Sequence, residues 1–95
     1  AVHRYMDGKA ESQNFDEWLY VAKSDFATEK QLIRIARKCT DIYCYYSHEK
    51  AKFDQVRLAT AISQNPNVTT EVIKKLKLSV HTEVIEIAER WLKEH

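Results

Sequence analysis

Glycine and proline each occur once in this chain, as Gly8 and Pro66. Sheets need hairpins and tight connections whose residues take a positive or a fixed φ, and a chain with one of each has little to turn strands with. The fold class this implies is all-α. Apolar residues make up 44% of the 95 residues and charged residues 31%, enough for a packed core beneath a solvated surface and too apolar for a disordered chain. No apolar run approaches the roughly 18 to 20 residues that cross a bilayer, and no hydrophobic signal segment stands at the N-terminus. Two cysteines are too few for a disulfide framework, so a soluble, cytoplasmic domain with free thiols is expected.

Apolar periodicity divides the chain. Residues 1–13 carry little of it and read as a flexible N-terminal arm, leaving 14–95 as the helical repeat domain. Phe15, Trp18, Leu19 and Ala22 fall on one helical stripe behind the capping candidate Asn14; Leu32, Ile35, Ala36 and Cys39 fall on a second behind Thr28. Residues 40–53 suit either a short helix or an aromatic connector. Asp54 is placed to cap a central helix carrying Val56, Leu58, Ala59, Ala61 and Ile62, which Asn65-Pro66-Asn67 stops, because proline excludes helical geometry from the residue before it. Thr69 or Thr70 opens a helix with Ile73, Leu76 and Val80 on its stripe, and Thr82 opens the last, with Val84, Ile87, Ala88, Trp91 and Leu92.

A shift of 41 residues superposes these patterns. It lays Phe15 on Val56, Trp18 on Ala59, Val21 on Ile62, Leu32 on Ile73, Ile35 on Leu76 and Cys39 on Val80, with Thr28 on Thr69 the one identity from Phe15 to Cys39. The repeating unit is a helix pair that buries its apolar face by stacking on the next pair. Val56-Arg57-Leu58-Ala59-Thr60-Ala61, then Asn65-Pro66-Asn67, Glu71-Val72-Ile73, Leu76 and Glu83-Val84, resembles the leucine-rich-repeat variant pattern, a relative in architecture of HEAT and armadillo arrays. Ile85 and Lys77 depart from that pattern, and the 40–53 connector has no place in it. The resemblance implies a short right-handed α-solenoid of about five to six stacked helices with a concave face. It implies no reaction, since the pattern residues are turn and core residues.

Chemical motifs are sparse. The chain has no glycine-rich phosphate loop, no GxSxG and no HExxH. His3, His48, His81 and His95 lie in polar surroundings, and the carboxylate pairs Asp16/Glu17 and Glu83/Glu86 sit at helix starts, where they favour the macrodipole. Neither catalysis nor a cofactor is expected. Cys39, Cys44 and His48 offer zinc-type donors, but two cysteines without finger spacing and one of them on an apolar stripe point to a buried thiol and no metal. Fifteen Lys and Arg against fourteen Asp and Glu give a net charge of +1, with no global field that announces nucleic acid.

Two surfaces remain as candidates. Tyr43, Tyr45, Tyr46 and Phe53 form the densest aromatic group and lie in the segment that interrupts the repeat, where insertions in arrays often bind; tyrosine is enriched at interface hot spots. They also suit a plug between repeats. Lys30, Arg34, Arg37 and Lys38 on one helix, with Lys74 and Lys75 on its repeat partner, form a basic ridge suited to phosphates. The expected function is noncatalytic protein binding or scaffolding, as a small regulator or inhibitor of a larger protein. Nucleic-acid binding through the ridge is the alternative.

Overall fold

The computed structural model describes residues 2–40 and 48–95, and over them the chain is all-helical: α1 (Val2–Ala10), α2 (Phe15–Lys23), α3 (Glu29–Thr40), α4 (His48–Gln64), α5 (Thr70–Leu76) and α6 (Thr82–Glu94). Local chemistry fixes most of the boundaries. Asn14, in extended geometry, accepts the Asp16 amide at 2.8 Å, while Asp16 and Glu17 in the first turn and Lys23 in the last oppose the α2 dipole. At α3, Thr28 Oγ1 accepts from the Gln31 amide and Gln31 Oε1 accepts from the Thr28 amide, a reciprocal capping box that fills two otherwise orphaned donors.

Three sequence expectations are corrected here. Val2–Ala10 is a helix within the stretch read as a loose arm: Met6 and Ala10 are buried, Gln31 donates to Asp7, and Arg34 pairs with Glu11 at 2.9 Å. Asp54 caps nothing, because α4 already begins at His48; its buried carboxylate takes Lys50, one turn earlier, as partner. Val80 leaves the core stripe because α5 ends at Leu76, which puts Val80 in the α5–α6 connection at 62% exposure.

Packing alternates along the chain. Helix α2 packs on α4 and α4 on α6, while α1 packs on α3 and α3 on α5. The even and odd helices also meet across the molecule, within extents of 37 × 34 × 15 Å. The helix ends obey the 41-residue shift: α2 stops at Lys23 and α4 at Gln64, α3 starts at Glu29 and α5 at Thr70.

Between those ends, the turn of the second pair is bonded to the turn of the first. Asn65 Nδ2 donates to the Ala22 and Ser24 carbonyls at 2.7 and 2.9 Å, and Asn67 Nδ2 donates to those of Asp25 and Ala27 at 2.7 and 2.9 Å. Asn65 Oδ1 meanwhile accepts the Asn67 amide at 2.8 Å, which shapes its own turn. The hydroxyl of Thr69 continues this contact by donating to Glu29. Carbonyls at the turn inside one helix pair thus accept from side-chain amides in the turn of the next.

The core lies between the layers. Leu32, Ile35, Ala59, Ile62, Ile73, Leu76 and Val84 are buried in it as the stripes predict, joined by Met6, Val21, Leu58 and Val72. Trp18, Val56, Ile87 and Trp91, expected inside, are half-buried and pack along its edge. Cys39 is buried as an apolar residue, its Sγ donating weakly to the Gln55 carbonyl. Among the described residues no helix is long and apolar enough to cross a membrane.

Candidate functional site

Because Trp18 and Phe15 sit on the rim of the core, the α2 stripe continues onto the surface. There it meets residues of α3 and α4. Phe15 and Trp18 touch edge to face, with centroids 6.4 Å apart. The indole N–H of Trp18 donates to the Ser12 carbonyl at 2.7 Å, which fixes the ring, and Lys38 Nζ of α3 lies 5.0 Å from its centroid. On the other side, Arg57 of α4 stands 5.5 Å from the centroids of both Phe15 and Phe53, so one guanidinium is shared by two rings on different helices. The result is a continuous strip, Phe53, Arg57, Phe15, Trp18 and Lys38, alternating aromatic faces with cations. Phe53 is 62% exposed and Arg57 is exposed, while Phe15, Trp18 and Lys38 are half-buried.

Neither cation of the strip has a carboxylate partner among the described residues. A second cluster shows the contrast. Lys9 lies 4.7 Å from the Tyr5 centroid and 5.1 Å from that of Tyr20, but it also pairs with Glu17 at 3.5 Å. Its ammonium is held above its ordinary pKa, first by the hydrogen bond with Tyr5, and that site is electrostatically closed.

Of the aromatic residues singled out in the sequence, Phe53 enters the strip, whereas Tyr43, Tyr45 and Tyr46 lie outside the described residues, as does Cys44. The basic ridge is only partly assembled. Although α3 and α5 lie side by side, Arg34 is held by Asp7 of α1 and by Glu11 just beyond that helix, Lys74 pairs with Glu71 at 3.6 Å, and Lys38 turns toward Trp18. Lys30, Arg37 and Lys75 remain without an ion pair among the described residues, and Lys75 is half-buried. Sequence reasoning had no way to place Arg57, because its contacts with Phe15 join residues of two different helices.

The other chemically notable side chains lie outside the strip. Burial pushes the Cys39 thiol up to about 12, which keeps it protonated. His81, expected in polar surroundings, is buried at the start of α6, where its amide donates to Ser79 Oγ at 3.0 Å. Among the described residues no group of three His, Cys, Asp or Glu side chains converges as a metal site would require. Glu83 is held below the usual carboxylate range, first by its hydrogen bond with Lys52, which ties α6 to α4.

Fold and site together define an all-helical domain of paired helices with an aromatic–cation strip on its surface. Compared with family models, with curated proteins and with solved structures, the chain matches none.

Proposed function

We propose that this chain is a noncatalytic protein-binding module, a short α-solenoid of the leucine-rich-repeat variant kind that works in the cytoplasm as a small regulator or scaffold. The observation that carries this reading is Arg57 held against Phe15 and Phe53 without a carboxylate partner among the described residues. Aromatic rings and arginine are the residues that dominate binding energy at protein interfaces, and a guanidinium already positioned by two rings loses little further freedom on docking. The coincident helix ends and the asparagine bonds between successive turns support the solenoid. Tyr43, Tyr45 and Tyr46, outside the described residues, keep their place in this proposal as interface residues on the strength of their chemistry alone.

The test is affinity capture from the native cell at low and high salt, with the wild-type chain beside F53A and R57Q. A partner retained in high salt by wild type and lost by both variants, at unchanged melting temperature, supports the proposal. A second reading, nucleic-acid binding along the ridge, is favoured only by Lys30, Arg37 and Lys75, and a gel shift abolished by salt and by reversing those charges would replace the first.

A further inference from the structure

Resting on the reading of the strip as a protein-binding surface, we propose that its partner is an acidic polypeptide segment, with Asp or Glu carboxylates docking on Arg57 and Lys38 and apolar side chains covering Phe53 and Phe15. The argument is one of charge. Of the other cations on the helices that build the strip, Lys50 pairs with Asp54, Lys52 with Glu83 and Arg34 with Asp7 and Glu11, while Lys23, Lys30 and Arg37 have no ion pair among the described residues but stand over no ring of the strip. At Arg57 and Lys38 the only partners within the described residues are ring faces.

A ring face attracts a cation without using its N–H donors. The planar fork of Arg57 therefore keeps its donors for a carboxylate, which it can hold with two parallel bonds. Lys38, over Trp18, adds a point charge at the far end of the strip. Between the two cations lie Phe15 and Trp18, an apolar stretch that a segment alternating acidic and apolar residues would cover. A nucleic-acid strand is the poorer fit, because its affinity comes from a row of phosphate contacts and the neighbouring ridge is interrupted where Arg34 is held by Asp7 and Glu11 and Lys74 by Glu71.

The experiment pans a random-peptide phage library against the wild-type chain and against the F53A/R57Q double variant, whose substitutions fall on exposed side chains. Peptides enriched on wild type alone should carry acidic residues interspersed with aromatic or aliphatic ones. A fluorescein-labelled synthetic copy should bind R57Q about tenfold more weakly and R57K several-fold more weakly, because lysine keeps the charge but loses the fork. Enrichment of neutral or basic peptides that depends on Phe53 and Arg57 would overturn the acidic partner while leaving the binding surface intact. Equal enrichment on both proteins, or none, would overturn the surface itself. Binding of oligothymidylate that R57Q abolishes would replace the peptide with a nucleic acid.

Discussion

Replacing Asn65 with alanine removes the side chain that joins the two helix pairs. Its Nδ2 donates to two carbonyls of the first turn and its Oδ1 accepts the Asn67 amide, all within 2.9 Å, at a residue only 4% exposed. Each such bond contributes about 0.5 to 1.5 kcal/mol net, and a buried acceptor left unpaired adds to the loss, so the expected cost is about 2 to 4 kcal/mol. Against a total of roughly 5 to 14 kcal/mol for a domain of this size, that is a large fraction. It corresponds to a fall in melting temperature of about 10 to 20 °C. Asn65→Asp is the sharper variant. Aspartate keeps the acceptor for Asn67 but turns a carboxylate oxygen toward the Ala22 and Ser24 carbonyls. At neutral pH it should cost at least as much as alanine. That carboxyl would titrate above its unfolded value, so its penalty grows as pH rises through the carboxylate range and shrinks in acid. Urea denaturation followed by circular dichroism measures both variants across pH. A cost below about 0.5 kcal/mol for Asn65→Ala, or an aspartate variant as stable as wild type at neutral pH, would refute the view that these amides hold the pairs together.

The core predicts that Leu76→Ala, at a fully buried site, loses about 2 to 5 kcal/mol in the same assay, and a loss below about 1 kcal/mol would mean the α5 stripe was misread. Met6→Ala should cost about 2 kcal/mol if α1 is docked as described; no loss would return residues 1–13 to a loose arm. Cys39 should resist thiol reagents at neutral pH until the chain unfolds, as peptide mapping after alkylation would read. With its folded value raised from 9.0 to about 12, its contribution to stability is fully present below the unfolded value and is lost as pH rises between the two, a decline that Cys39→Ala should flatten. Replacing Tyr45 and Tyr46 together with alanine should weaken partner binding by about 2 kcal/mol or more while leaving the melting temperature unchanged; a large fall in melting temperature would make the segment structural.

What the sequence disclosed depended on how local the chemistry was. The Asn65-Pro66-Asn67 stop, the Thr28 cap and the 41-residue phase are written in neighbouring residues, and each reappears as a helix boundary. Helix α1 was illegible because Met6 and Ala10 are too few to make an apolar stripe, and the polar residues around them find their partners on α3. Val80 was misread by extending a stripe past a helix of seven residues. The site was half visible. Phe15, Trp18 and Phe53 stood out as aromatic, but which side of α2 faced outward, and which cation met which ring, depended on α2, α3 and α4 lying together. The pairing within the ridge was hidden for the same reason in reverse, since Arg34 and its carboxylates are far apart in sequence and adjacent in space.

The order of residues in the second turn also bears on how the molecule ages. Asparagine deamidates when the backbone nitrogen of the following residue attacks the side-chain amide and closes a succinimide ring, and that nitrogen must carry a proton to lose. Pro66 has none. The amide that reaches across to Ala22 and Ser24 is therefore shielded from the fastest spontaneous route that would convert it to a carboxylate and set it against the carbonyls it now holds. Asn67 lacks that shield, being followed by Val68, but it is the more exposed of the two and its loss would leave Asn65 in place. Chemical damage in this turn should thus begin at the replaceable bond, and the joint between the helix pairs should outlast it.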